Sequence, residues 1–261
     1  MNMFLFAMAG LSNRFRIAGY DKPKFSLEAH GASMFEHSVV GFSKYFGTED
    51  FLFVTLRCYD AGEFIRSRSK RIGIPPKRVR IVELDATTTG QAETVMLGLL
   101  HGGIRAEEPL TIFNIDTFRP GFSYPNDLDL SRIDGYLETF VGLGDHWSFV
   151  KPLADGDPER RVAEVAEKRR ISPYCSSGLY HFRATELFLR AYGCIETRDP
   201  AELQGGERYV APLYNCLIAE GYDIRFAPIE KFEIIHCGTP VEYRAVLDLE
   251  TIATLRQMPP S

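Results

Sequence analysis

Four short apolar runs, Met3–Met8, Phe51–Leu56, Val79–Leu84 and Leu110–Ile115, recur through the first 116 residues with helix-forming stretches between them. A run with no polar alternation suits a strand covered on both faces, so each reads as a buried parallel strand. Between them, Ser33–Ser43 reads as a helix, with Ser33 and Glu36 spaced as a capping box. Tyr59–Ser69 reads as another, stopped by Ile74-Pro75-Pro76, and Gly90–Leu100 as a third with Ala92, Val95, Met96 and Leu99 on one face. Leu11 to Lys24 reads as a loop. This alternation predicts a doubly wound α/β domain. In the second half, Tyr136–Val141, Phe149–Lys151 and Gly178–Phe182 read as strands, and Arg161–Lys168 as a strand or a helical turn. Thr185–Tyr192 and Ala211–Glu220 read as helices, Ile224–Ile235 as one or two strands, and Pro240 opens a final helix to about Gln257.

The remaining constraints are compositional. With 261 residues, 45% apolar and 25% charged, the chain has the balance of a soluble globular domain, not of a disordered, collagen-like or coiled-coil chain. A net charge of −5 argues against a dedicated nucleic-acid binder but not against an anionic small ligand held by local Arg and Lys. Five cysteines, odd in number and without Cys-x-x-Cys, fit neither a disulfide framework nor a zinc site, so a reducing cytoplasm is expected. No apolar run approaches the roughly 18 residues of a membrane span, and MNMFLFAMAG lacks the basic start of a signal peptide.

In open α/β sheets, ligands sit at the carboxyl ends of the strands. Ala9–Lys24, Asp85–Thr94 and Asn114–Asp116 should therefore converge. Gly10 allows a close backbone approach, while Arg14 and Lys24 offer cations suited to phosphate; the alternative is a surface turn with solvated charges. Neither the P-loop spacing nor Gly-x-Gly-x-x-Gly occurs. Asp116, at a strand end, is placed to bind Mg²⁺ or to cap a turn. Thr89-Gly90-Gln91 suits a helix cap, and the Gln91 amide could read a base edge. Glu167-Lys168-Arg169-Arg170 has the look of a solvated face, and Ser176-Ser177-Gly178 of a bend or a close ligand approach. The six histidines form no tight pair and no Gly-x-Ser-x-Gly elbow exists, which argues against zinc and α/β-hydrolases.

Taken in order, these segments resemble the sugar-phosphate nucleotidyltransferases, also called nucleotide-diphospho-sugar pyrophosphorylases. MFLFAMAGLSNRFRIAGYDKPKF is similar to their opening strand, Ala-Gly-x-Gly-x-Arg and Pro-Lys, with Ser12 in place of the second Gly. Thr89-Gly90-Gln91-Ala92 resembles their base-side segment, and Asn114-Ile115-Asp116 the one that supplies a metal-binding Asp. Val165-Ala166-Glu167-Lys168, Ser176–Phe182 and Cys237-Gly238-Thr239-Pro240 resemble the later elements. The opening string, with Tyr209–Asn215, looks most like the branch associated with capsule or surface-polysaccharide biosynthesis.

The resemblance implies a three-layer α/β/α Rossmann-like, GT-A-like fold with a mostly parallel mixed sheet. It implies one domain over 1–261, with a nucleotide-binding half at 1–125, an acceptor half at 126–250 and a tail at 251–261. It implies a cytoplasmic, Mg²⁺-dependent transfer from an NTP, CTP or UTP favoured, to a sugar phosphate or other small phosphorylated metabolite. Arg14, Lys24 and Asp116 would be catalytic; Ala9, Gly10, Leu11, Ser12, Asn13, Thr89, Gly90, Gln91 and Asn114 would bind nucleotide. Glu167, Lys168, Ser177 and Gly178 would bind the acceptor. The family often has a second metal-binding Asp where His236 stands, so either His236 or Glu233 substitutes, or Asp116 and the phosphates hold the metal alone, the favoured option, or the site is impaired. Many relatives self-associate, so a homo-oligomer is among the expectations, with no nucleic-acid or membrane partner. Two alternatives are a GT-A glycosyltransferase, for which only Asp127-Leu128-Asp129 could serve as the metal motif, and a non-catalytic nucleotide or sugar sensor.

Overall fold

A computed structural model describes residues 1–203, 206–250 and 252–257. The first half runs β1 (Met3–Ala7), α1 (Asn13–Ile17), β2 (Glu28–Ala29), β3 (Ala32–Ser33), α2 (Met34–Val40), β4 (Asp50–Leu56), α3 (Gly62–Arg71), β5 (Val79–Leu84), α4 (Gln91–Gly102) and β6 (Leu110–Asn114). The second runs β7 (Thr117–Phe118), β8 (Gly135–Val141), β9 (Ser148–Pro152), β10 (Val162–Glu167), β11 (Tyr174–Phe182), α5 (Thr185–Gly193), α6 (Tyr214–Ala219), β12 (Ile224–Ile229), β13 (Ile235–His236) and α7 (Pro240–Leu247).

One nine-stranded mixed sheet passes through both halves in the order β10-β9-β11-β6-β1-β4-β5, with β8 and β12 continuing from β11. Pairing is parallel among β6, β1, β4 and β5 and antiparallel among β8, β9, β10 and β11. The expected α/β/α layering follows from a chemical alternation inside the buried runs. Phe4, Phe6, Phe51, Phe53 and Phe113 point to one face, where Phe35 and Val39 of α2 and Ile65 of α3 cover them. Leu5, Leu52, Val54 and Ile112 point to the other, under Val95 and Leu99 of α4 and Phe188 of α5. Successive side chains of a strand face opposite ways, so Phe and aliphatic residues sort themselves into two separate cores. Helix α2 starts at the expected capping box: Ser33 Oγ accepts from Glu36 N at 3.3 Å, and Glu36 Oε2 accepts from Ser33 N at 2.8 Å.

Several elements differ from expectation. The loop after β1 contains α1, five residues that bury only Phe15, too short to carry a helical period. Helix α3 begins at Gly62 because Asp60 takes a left-handed conformation after a 3₁₀ turn. Arg161–Lys168 resolves as a strand, since β9 offers an edge to pair with. The final helix stops at Leu247, where Leu247 and Leu249 are exposed; the chain turns back to bury Ile252 and Thr254 and forms only a short 3₁₀ turn, Ala253–Gln257. Of the tail expected at 251–261, residues 251 and 258–261 lie outside the described residues. Among the described residues, no helix is long and apolar enough to cross a membrane.

Behind the sheet, His181 of β11 is buried, with Nδ1 3.0 Å from Thr111 Oγ1. Burial pushes its imidazole pKa down to about 3. An unfolded histidine titrates near 6.5, so between these values the unfolded chain holds more protons. Stability from this residue is complete above that range and falls as pH drops through it, by at most about 1.4 kcal/mol per pH unit. Urea denaturation between pH 7 and pH 5 should show His181→Asn losing less stability on acidification than the wild type; an unchanged slope would rule this contribution out.

Candidate functional site

The carboxyl ends of β1 and β6, the start of α4 and the middle of β11 border one cleft of about 740 Å³. The chain enters it through Ala9 and Gly10. A Cβ on Gly10 would meet no protein atom within 4 Å, so packing does not demand glycine there and the space is open to a ligand. Tyr59 donates its hydroxyl to the Gly10 carbonyl at 2.9 Å, which fixes the start of the loop. Short helix α1 then presents Arg14 to the cleft while Phe15 packs near Tyr20 and Tyr243. Ser12 is left-handed at φ 54°, and its hydroxyl accepts from Lys24 N at 3.3 Å; its side chain ties the loop closed and does not line the cleft.

Lys24 Nζ meets Asp116 Oδ2 at 2.5 Å, with the two side chains 23% and 20% exposed. Burial alone would raise the Asp116 carboxyl. The charge and hydrogen bond of Lys24 outweigh it and hold the group below the usual carboxylate range, so it is ionised at neutral pH. The β7–β13 pairing sets His236 opposite Thr117, and Cys237 N donates to Asp116 O at 2.8 Å. His236 lines the cleft against Trp147, with ring centroids 4.5 Å apart, and its buried Nε2 makes no hydrogen bond among the described residues. Glu233, the other candidate replacement, is drawn away to Arg119 at 3.2 Å and does not line the cleft. No group of three or more His, Cys, Asp or Glu among the described residues forms a metal cage. Ionised Asp116 on an open cleft would instead suit a Mg²⁺ that brings phosphate oxygens as its remaining ligands.

Gly90 caps the start of α4, as Thr89-Gly90 led one to expect. Glu93 reaches back to accept from both Thr89 N and Thr89 Oγ1, at 2.5 and 2.6 Å. Gly90 is required by its neighbour: a Cβ there would sit 2.5 Å from Arg208 N, because Arg208 pairs through its backbone with Thr89 O and Ala92 N. Gln91 Nε2 donates to Asn114 Oδ1 at 2.7 Å.

On the opposite wall, Glu167 is 7% exposed and accepts from the Ser148 hydroxyl. Burial raises its carboxyl, partly offset by Ser148 and Lys168. Ser177 donates to buried Glu138 at 2.9 Å, which is held in turn by Arg119. Gly178 sits where the β8–β11 register shifts, at φ +88°. A bulge at this point turns the strand toward the cleft.

The cleft thus brings together Ala9, Gly10, Leu11, Asn13, Arg14, Lys24, Thr89, Gly90, Gln91, Asn114, Asp116, Glu167, Ser177, Gly178 and His236. Ser12 and Lys168 stand outside that lining. Lys168 donates to the Tyr209 hydroxyl at 2.6 Å and lies 4.7 Å above its ring, so its charge is turned onto a side chain of the cleft wall. Trp147 and Glu207 also line the cleft and carry no motif in the sequence, while Tyr209 and Glu242 line it from segments that the resemblance covered without assigning those two residues to the site. Asp127 and Asp129, the would-be glycosyltransferase motif, bond to Arg160 and Ser131 and do not line the cleft.

The glycines separate by cause. Gly178→Ala would place a Cβ 2.2 Å from Asn114 Nδ2 in a left-handed backbone and should cost at least about 1–2 kcal/mol in chemical denaturation. Gly10→Ala should stay within about 0.5 kcal/mol of the wild type; equal losses in the two variants would refute the distinction.

No family model matches the chain, and no curated protein does. Among solved structures, it is 46% identical to the nucleoside-diphosphate-sugar pyrophosphorylase from Vibrio cholerae RC9, over 95% of this chain and 100% of that one, with a TM-score of 0.88. The inositol-1-phosphate CTP transferase from T. maritima shares the fold at 15% identity, with a TM-score of 0.68 over 95% of each chain. A UDP-glucose pyrophosphorylase from Acinetobacter baumannii does so at 16% identity, with a TM-score of 0.64 over 94% of this chain and 91% of that one. With a relative of that identity matched over its full length, the chain belongs to the nucleoside-diphosphate-sugar pyrophosphorylase family of nucleotidyltransferases.

Proposed function

We propose that the cleft holds an NTP, with CTP or UTP favoured, beside a sugar phosphate or other small phosphorylated metabolite, and joins the two with release of pyrophosphate. The reading rests on one observation: Arg14, Lys24 and Asp116, distant in sequence, line one cleft, with Lys24 2.5 Å from Asp116. An acceptor phosphate oxygen attacks the α-phosphorus in line, a P–O bond forms, and the bond to the β-phosphate oxygen breaks. The attacking phosphate is already ionised, so the step needs positioning and charge neutralisation more than a general base. Lys24 neutralises charge growing on the α-phosphate, and Arg14 grips the β- and γ-phosphates and the departing pyrophosphate. Mg²⁺, held by the Asp116 carboxylate together with phosphate oxygens, would supply further charge neutralisation. Ala9, Gly10, Leu11, Asn13, Thr89 and Gly90 face the nucleotide, with Gly10 leaving room for it and Ser12 holding the loop through Lys24 N, and Glu167, Ser177 and Gly178 face the acceptor. Lys168 serves the acceptor side through Tyr209. The resemblance of the opening segment favours a product used in capsule or surface-polysaccharide assembly.

The direct assay sets four NTPs against sugar phosphates and other small phosphates, reading pyrophosphate. Arg14→Ala and Asp116→Ala should each lower kcat by about 10²-fold or more, the scale of one lost electrostatic stabiliser. Chelation of divalent ions should abolish turnover and added Mg²⁺ restore it. Near-normal pyrophosphate release by Asp116→Ala would reject the metal assignment.

A further inference from the structure

Two carboxamides meet on the cleft wall. Gln91 opens α4 and Asn114 ends β6, and the bond from Gln91 Nε2 to Asn114 Oδ1 uses one end of each group. Gln91 Oε1 and Asn114 Nδ2 make no hydrogen bond among the described residues, and neither is sealed from solvent. Both residues are half-buried in the cleft lining. An amide oxygen only accepts and an amide nitrogen only donates. The pair therefore offers a ligand an accepting end, Gln91 Oε1 with its two lone pairs, and a donating end, Asn114 Nδ2 with its two N–H groups, from one linked unit.

Its place in the cleft is set by β11. A Cβ on Gly178 would stand 2.2 Å from Asn114 Nδ2 and 2.8 Å from Asn114 Cγ, so the strand carrying Ser177 closes directly onto the amide. On β6 the Asn114 position is two residues before Asp116, which is bonded to Lys24. The pair thus adjoins both the acceptor strand and the cations that neutralise phosphate.

We propose that Gln91 and Asn114 are a specificity pair for the acceptor, reading a neutral group that both donates and accepts a hydrogen bond, a hydroxyl or a carboxamide, near the acceptor's phosphate. The proposal rests on the nucleotidyltransfer reading above and replaces the nucleotide contact expected for these two residues. A carboxylate would confront the Gln91 oxygen, and an ammonium would confront the Asn114 N–H. An apolar group would leave both ends unpaired, the condition under which a polar site rejects an analogue most strongly. A hydroxyl or an amide satisfies both at once.

The test uses CTP and UTP with glucose 1-phosphate and N-acetylglucosamine 1-phosphate, which carry hydroxyl and acylamino groups, and with phosphoethanolamine and phosphocholine, which carry a cation. The wild type should turn over the first class with kcat/KM at least about tenfold above the second. Gln91→Leu and Asn114→Asp should each raise the KM of the preferred acceptor about tenfold, the equivalent of one lost hydrogen bond. The KM of the NTP and the thermal midpoint should stay close to wild type. A rise in NTP KM with acceptor KM unchanged overturns the proposal, as does a preference for the cationic phosphates. If neither sugar phosphate reacts, the proposal falls while turnover of any other phosphate keeps the nucleotidyltransfer reading; if nothing releases pyrophosphate, both fall.

Discussion

The Lys24–Asp116 ion pair joins the loop after β1 to the end of β6, across 92 residues of sequence. Removing part-buried charges from water is costly, and such a pair contributes less to stability than to fixing which groups meet. Here it fixes a cation beside a carboxylate at the rim of the sheet. Each is the other's counter-ion in the free protein. A dication at Asp116 would compete with Lys24 for the same oxygen, and phosphate oxygens would compete with Asp116 for the same ammonium. In the proposed reaction, a nucleotide entering with a metal would exchange protein–protein charge contacts for protein–ligand ones, and no isolated charge would be left in the wall.

Behind that pair, the strand β11 decides the shape of the cleft. One edge pairs with β8, while the other pairs with β9 at its start and β6 at its end. The register shift between Ser176 and Tyr180 falls where Ser177 and Gly178 face the cleft. Buried Glu138 anchors Ser177 from behind and is itself paired to Arg119, which also holds Glu233. Burial raises the Glu138 carboxyl, and the two partners resist that rise. The network is satisfied by hydrogen bonds, which is the condition for keeping charge in a core. On the other wall, the Arg208 backbone pairs with Thr89 and Ala92 and leaves space only for a glycine at position 90.

Much of this was legible in the chain. Buried strands announce themselves as apolar runs because both faces must leave water, and the Ser33–Glu36 capping box has a spacing fixed by helix geometry. The convergence of residues 10, 14, 24 and 116 followed from strand order, since loops at one end of a parallel sheet share that end. Other features carried no local signal. Helix α1 is shorter than two turns, and Arg161–Lys168 became a strand only because β9 offers hydrogen-bonding groups beside it. Lys168 sits in a charge run that reads as a solvated face, while its partner, Tyr209, lies 41 residues away and had to be brought close by the fold. Ser12 looked like a defect in a glycine motif, whereas its hydroxyl bonds the Lys24 amide.

By itself, the sequence determined the layering, because the hydrophobic effect acts on patterns that repeat along the chain, and it marked the charged residues available for phosphate. The tertiary structure alone decided which polar ends stayed unpaired. Whether Gln91 donates to Asn114, whether Lys168 turns to Tyr209 and whether Glu233 goes to Arg119 depends on distances between segments remote in sequence. Hydrogen bonds and ion pairs are short-ranged and directional, so they are settled only when packing has fixed those distances to within a few tenths of an ångström.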